Sequence, residues 1–317
     1  GIELSLNFDV INKGDFRFNI GAIYNYNRNK LDELPNADQY LYSSYWGSSS
    51  LVPTNDYMFV EGKAIGLVRG FVSEGFYTVN DFRYENGQYI LKEGIPDITK
   101  ALTATYMHPF NIPNGQTAFP GAAKFRDVNN SGTVDLDDAT CLGEVMPRHT
   151  GSFQLNFNYK NFDLSSNFNW TAGGKVYNVA AMINASGQEF DGIGAQRTSW
   201  VADTYKVYNV NSSGDLYAVT DPNELNALNA NAKYHLPYHQ SGITSSEWLE
   251  DGSYLRLQTL TLGYTLPHTV LNKIHIEKLR IYLTATNLFT ITGYSGIDPE
   301  VNATPTGQRG FSSTLRV

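Results

Sequence analysis

The feature that most restricts this chain is alternation. In GIELSLNFDVI, Ile2, Leu4, Leu6, Phe8 and Val10 take every second position, with Glu3, Ser5, Asn7 and Asp9 between them. Successive side chains of a strand point to opposite faces, so the pattern predicts one apolar and one polar face; a helix, with its period of 3.6, does not fit it. The turn NKGD follows, and Phe16, Phe18, Ile20, Ala22, Tyr24 and Tyr26 then repeat the alternation. The two segments read as a hairpin with a short connection.

The device recurs. Phe153, Leu155, Phe157 and Tyr159 lead to a tight turn near Lys160 and Asn161, after which Phe162, Leu164, Phe168 and Trp170 are opposed by Asp163, Asn167 and Asn169. SYLRLQTLTLGYTLP and KLRIYLTATNLF form a third pair, joined by Pro267 to Lys278. Its apolar parity shifts between Leu257 and Leu260, which predicts a bulge. Residues 56–78 read as a fourth pair turning near Glu61 and Gly62, and Phe311, Leu315 and Val317 as one more strand. That makes roughly nine strands.

Residues 30–55, 80–148, 172–252 and 291–308 are long, polar and rich in Gly, Asn and Asp. Short turns on one rim, long loops on the other and strands of about 9–11 residues are the arrangement of an outer-membrane barrel. Tyr24, Tyr26, Tyr159, Trp170, Tyr264 and Phe289 lie near strand ends and suit an interfacial girdle. Alternation with aromatics also builds a soluble β-sandwich, where the apolar face packs on a second sheet. The strongly polar second face, kept through hairpin after hairpin, favours lipid outside and water inside.

A net charge of −8 argues against a nucleic-acid partner, which needs clustered Lys and Arg. The chain has no apolar run of helix-spanning length, and Cys141 is its single cysteine. The chain opens directly in a strand, which predicts that it begins inside a larger protein.

Three segments carry a family resemblance: FPGAAKFRDVNNSGTVDLDDATCLGEVMPRHTGSFQLNFNYKNFDLSSNFNW; GSYLRLQTLTLGYTLP with LRIYLTATNLFTITGYSGIDPEV; and EGKAIGLVRGFVSEGFY. In order, over nearly the whole chain, they resemble the late barrel of SusC/RagA-type TonB-dependent outer-membrane transporters. The resemblance implies an all-β fold: an antiparallel transmembrane β-barrel segment with long extracellular loops, about nine strands of a barrel of about 22. Residues 1–317 would be its C-terminal portion, with the plug and early strands absent. It further implies import of glycans or peptides with a SusD-like lipoprotein, coupling to TonB through the missing plug, and an outer-membrane location in contact with lipid. The family ends on an aromatic residue; here the last residue is Val317, which predicts a residue or two more.

RDVNNSGTVDLDDAT holds Asp127, Asn129, Ser131, Gly132, Thr133, Asp135 and Asp138 at positions 1, 3, 5, 6, 7, 9 and 12 of an EF-hand-type calcium loop. Alternate oxygens would converge on Ca2+, Gly132 would permit the turn and Thr133 would offer its carbonyl. Ser131 and Asp138 stand where stronger ligands are usual, so a structural site in an extracellular loop, between the fourth and fifth strands, would be weak. An Asx-rich turn without metal is the alternative.

No catalytic set assembles, so an enzyme is not expected. His108, His149, His235, His239, His268 and His275 show no zinc spacing, and Pro237 breaks any helix joining His235 to His239. Trp200, Tyr205, Tyr234 and Tyr238, in long loops, would stack on sugar rings or simply pack. Two rivals to the importer remain: a secreted β-sandwich carbohydrate-binding module with a structural calcium, and a secreted β-rich hydrolase.

Overall fold

The computed structural model describes residues 1–35, 38–43, 52–102, 108–178, 181–182, 202–236, 243–272 and 276–300. The chain divides into two compact units. Of the described residues, the first comprises those within 1–30, 144–176 and 250–300, and the second those within 31–143 and 177–249.

The first unit is a six-stranded antiparallel meander. Its strands, in both chain and spatial order, are β1 (Ile2–Lys13), β2 (Phe16–Tyr26), β3 (His149–Tyr159), β4 (Phe162–Ala172), β5 (Tyr254–Thr265) and β6 (Arg280–Thr292). Two hairpins turn where expected: Gly14 at φ +59° between β1 and β2, and Lys160 at φ +52° between β3 and β4. Residues 266–279 join β5 to β6 at the same rim, whereas residues 27–148 and 173–253 leave from the other.

The expected bulge is present. Leu257 and Thr259 pair with Phe168 and Asn167 on β4, and with Phe289 and Thr286 on β6. Gln258 is thereby the extra residue against β4, and Asn287 at φ +52° lies in the matching gap of β6. Past the gap, the apolar residues of β5 regain the face they had left. A second register shift, between Asp9 and Ile11, drops Val10 from the ladder and puts Ile11 opposite Phe18.

The fourth pair is corrected. Tyr57–Val60 and Leu67–Gly70 do pair antiparallel and turn at Glu61–Gly62, but each is four residues long. They belong to the second unit, in a four-stranded sheet with Gln39–Tyr42 and Thr140–Glu144. Four residues span about 13 Å, too short to cross a bilayer even without tilt. The described wall therefore has six long strands, and the calcium-like loop follows the second of them, not the fourth. The strand expected at 310–317 lies outside the described residues.

The stretches read as polar loops build a core of their own. Phe71, Tyr77, Tyr89, Leu102, Phe119, Val134 and Leu225 are fully or almost fully buried in one cluster. Its tyrosines keep their hydroxyls satisfied: Tyr77 donates to the Pro96 carbonyl at 2.6 Å and Tyr89 to that of Thr220 at 2.8 Å. Residues 243–248 thread the unit. Thr244 accepts from Phe71 N–H at 2.8 Å, Ser246 donates back to Phe71 O at 2.9 Å, and Trp248 O accepts from Asn178 at 2.7 Å. A Cβ on Gly70 would stand 2.3 Å from the Thr244 carbonyl, so only glycine admits this segment.

Candidate functional site

The six-stranded sheet has two chemically opposite faces, and its register lines residues into rows that cross all six strands. At mid-strand one face carries Phe8, Ile20, Leu155, Ser166, Leu260 and Ala285 in one row; the next row is Leu6, Ala22, Phe153, Phe168, Leu257 and Phe289. Phe18 stacks on Phe157 at 4.2 Å and Phe153 on Phe168 at 4.5 Å. Ser166 donates its hydroxyl to the Leu155 carbonyl at 3.4 Å and so presents little polarity here.

Aromatics close this face at both ends. Phe16, Tyr159, Phe162 and Tyr264 form the row nearest the short turns. Tyr24, Tyr26, His149 and Trp170 gather at the other end, where Tyr24 Oη lies 2.8 Å from His149 Nδ1. Gly151 clears the space under Trp170, since a Cβ there would meet the indole at 2.7 Å. Tyr24, Tyr26, Tyr159, Trp170 and Tyr264 thus stand at strand ends as expected, and Phe289 one row further in.

This apolar face is most exposed on the outer strands, where Leu4 is 50% accessible, Phe8 66% and Leu283 74%; on the inner strands Phe153, Leu155 and Phe168 are half-buried and Leu257 is buried. Within this unit the six strands form a single layer, without the second sheet that a β-sandwich packs against such a face. A shallow groove of about 460 Å³ between Phe153, Trp170, Leu255 and Ile291 lies on this side and is a corrugation of the wall.

The opposite face is a polar ladder. One row reads Asp9, Asn19, Asn156, Ser165, Thr261 and Thr284 from β1 to β6. Asn19 donates to Asn7 at 2.8 Å and Asp9 at 2.9 Å, Ser165 to Asn156 at 2.8 Å, and the two threonine hydroxyls lie 3.0 Å apart. Near the short turns Arg280 grips Asp163 with Nε at 3.0 Å and Nη2 at 2.5 Å. The fork crosses β5 above Gly263, where a Cβ would come within 2.4 Å of the guanidinium. A row of amides and hydroxyls with spare donors and acceptors suits water or a polar solute.

In the second unit the calcium-like loop is held by its own backbone. Asp127 accepts the N–H groups of Ser131 at 3.1 Å and Gly132 at 2.7 Å, and Asn129 Oδ1 accepts that of Ser131 at 2.8 Å. Ser131 Oγ donates to the Thr133 carbonyl at 2.8 Å, and Asp135 accepts from Asp137 at 2.8 Å. Asp138 is fully buried and accepts from Val128 at 2.7 Å, Asn129 at 3.2 Å and Asp135 at 2.9 Å. Gly132, at φ +86°, makes the turn. Among the described residues no three His, Cys, Asp or Glu side chains gather at metal-holding distances.

Of the four aromatics, Trp200 and Tyr238 lie outside the described residues. Tyr205 is 3% exposed and packs on Phe76 at 5.3 Å, so its ring fills the core of this unit. A Cβ on Gly121 would strike that ring at 2.4 Å. Tyr234 is half-buried beside it, its carbonyl accepting the Tyr205 N–H at 3.0 Å.

Two groupings escaped sequence reasoning. His235 Nε2 lies 3.7 Å from Glu247 Oε2, both largely buried. Burial holds the imidazole down at about 4 and pushes the carboxyl up to about 7, so in mildly acidic solution the pair carries its proton on Glu247 and not on His235. Arg256, alone in a greasy strand sequence, meets Asp298 and Glu300 from forty residues on. Neither pair has a sequence spacing that announces it.

No family model matches the chain. It is 27% identical over 302 residues to TonB-dependent receptor P3 of Formosa agariphila, covering 95% of this chain and 25% of that protein. It is 23% identical over 310 residues to TonB-dependent receptor SusC of Bacteroides thetaiotaomicron, covering 96% of this chain and 24% of that one. The chain therefore spans about a quarter of the length of these relatives. Among solved structures, one described as the RagAB peptide transporter superposes with a TM-score of 0.59 over 94% of this chain and 26% of its own, at 20% identity.

Proposed function

This chain is a relative of the SusC/RagA-type TonB-dependent receptors, and from that premise we propose that it is a wall portion of an outer-membrane importer. The observation that carries the reading is the six-strand row pattern: an apolar band between two aromatic belts, backed by a ladder of amides and hydroxyls. Hydrocarbon is the solvent that makes the first face favourable, and a water-filled lumen the one that suits the second. The meander's two open edges, β1 and β6, would be closed by further strands of the same protein.

In this reading residues 1–317 form the C-terminal part of the barrel, the long connections lie outside the cell, and a SusD-like lipoprotein covers the mouth. The cargo is a glycan or a peptide, and release to the periplasm is driven through TonB by a plug supplied elsewhere in the full-length protein. The named relatives support the transport class, and the peptide transporter among the structural neighbours supports peptide as one of the two cargo types. For Asp127, Asn129, Ser131, Thr133, Asp135 and Asp138 we keep the calcium proposal on residue pattern alone.

The test is fractionation and co-purification of the full-length product. It is expected in the outer membrane, detergent-dependent, and accompanied by a lipoprotein partner. Recovery as a water-soluble protein that binds sugar by itself would replace this reading with the binding-module one.

A further inference from the structure

The chain does not run free after β6. Residues 293–300, GYSGIDPE, return over the polar side of the sheet and are bound there twice. Arg256 on β5 is 7% exposed and has the parity of the polar face, between Leu255 and Leu257. Its Nε donates to Thr290 Oγ1 at 3.0 Å, Nη1 to Glu300 at 2.7 Å and Nη2 to Asp298 at 2.5 Å. Just ahead of β5, Glu250 accepts both the N–H of Ser295 at 2.6 Å and its hydroxyl at 2.7 Å.

The segment is also shaped internally. The Tyr294 side chain lies on Gly296, where a Cβ would come within 2.4 Å of two ring carbons and the hydroxyl oxygen. Asp298 Oδ1 takes the Glu300 N–H at 2.9 Å, which fixes the two carboxylates toward one guanidinium. Tyr294, Gly296, Asp298 and Glu300 thus each have a mechanical task. A plain connection to a following strand would need none of them. Charge-assisted bonds to a buried arginine are strong, and opening them would strand the cation without partners.

We propose that residues 293–300 form a fixed strap across the polar side of the sheet at its long-connection rim, and that Arg256 is the positioning residue that holds it. The proposal rests on the reading of that side as the lumen. The strap then narrows the outer mouth and limits the size of cargo that passes. Ile297, 83% exposed, stands on it as an apolar contact for whatever enters.

The test uses the full-length protein with Cys141→Ser and a reporter Asn169→Cys. Position 169 pairs with Arg256 across β4 and β5 on the polar side, and the Asn169 side-chain oxygen is fully shielded. Maleimide–polyethylene glycols of rising mass are applied from outside, and hydrogen exchange is followed at residues 293–300. With Arg256 present, only small reagents are expected to react. Arg256→Gln is expected to speed labelling by large reagents and exchange in the strap by at least about tenfold, since both carboxylates lose their cation and one charge-assisted hydrogen bond alone corresponds to about that factor. The pair Arg256→Asp with Asp298→Arg is expected to restore part of the protection. If Arg256→Gln does not assemble, Glu250→Gln with Ser295→Ala loosens the other tether and is read in the same way. Unchanged labelling and exchange in the loosened variants would overturn the strap. A protein recovered free in water, with 293–300 still protected, would instead overturn the lumen reading and leave the strap without a mouth to narrow.

Discussion

Phe8 and Phe71 belong to one chain and meet opposite surroundings. Phe8 stands on the six-stranded sheet and is 66% exposed; Phe71, in the second unit, is 0% exposed. The contrast extends to whole units. The sheet turns its aliphatic and aromatic rows outward and its amides to the other side, whereas the second unit buries Tyr77, Tyr89 and Phe119 and satisfies their polar atoms inside. On the proposed membrane reading, burial in this protein follows the local solvent. Where water surrounds the chain, apolar groups collect in a core; where hydrocarbon does, a sheet needs no core on that side.

The largest expected effect breaks the water-facing half of the comparison. Phe71→Ala should cost about 3–5 kcal/mol, because it empties a site that Phe125, at 5.5 Å, and the 243–248 segment cannot refill. Phe8→Ala should cost a fraction of that. Chemical denaturation of the full-length protein in detergent checks the pair.

The next effect breaks the lipid-facing half. Leu155→Arg places a cation midway between the aromatic belts and should cost about 2–4 kcal/mol in a bilayer. Asn156→Arg, one residue along on the polar side, should be nearly neutral. Equal penalties at 155 and 156 in folding into vesicles would remove the distinction between the faces.

A third test sharpens the account of the second unit through His235 and Glu247. Glu247 has its pKa raised from 4.5 to about 7, so its contribution to stability is complete below 4.5 and is lost as pH rises through 7. His235 has its pKa lowered from 6.5 to about 4, so its contribution is complete above 6.5 and is lost as pH falls through 4. Between about 4.5 and 6.5 the pair holds one proton folded or unfolded, and the two trends offset. His235→Gln should therefore expose a decline in stability from pH 4.5 to 7, and Glu247→Gln a rise from pH 4 to 6.5. Thermal melts across that range measure both slopes.

The smallest effect concerns the 127–138 loop. Asp138→Ala should loosen it, since three N–H groups lose their acceptor. With those bonds in place, removing calcium should shift melting by only a few degrees or less. Exchange of residues 127–138 with and without chelator reads this directly.

How much of this could be read from the residues varied with the range of the contacts. The long hairpins were legible because a period of two and a two-residue turn are local, and the bulge because Leu257 and Leu260 change parity. The second unit was not. Its strands are two to five residues long, and it is tied by distant contacts such as Gly70 beneath Thr244 and Ser246 on Phe71. That is why the short pair at 57–70 read as wall, and why stacking and packing stayed open alternatives for Tyr205. GYSGIDPE was visible as a signature, but its partner Arg256 lies on another strand.

The most direct test of the central claim is a cysteine scan of β3 in the full-length protein with Cys141→Ser, spin-labelled at residues 153–158 in bilayers. The account predicts alternation: positions 153, 155 and 157 relaxed by oxygen dissolved in lipid, and 154, 156 and 158 by a water-soluble nickel reagent. Labels that show no period of two, or apolar positions reached by neither reagent because a second layer covers them, would contradict it.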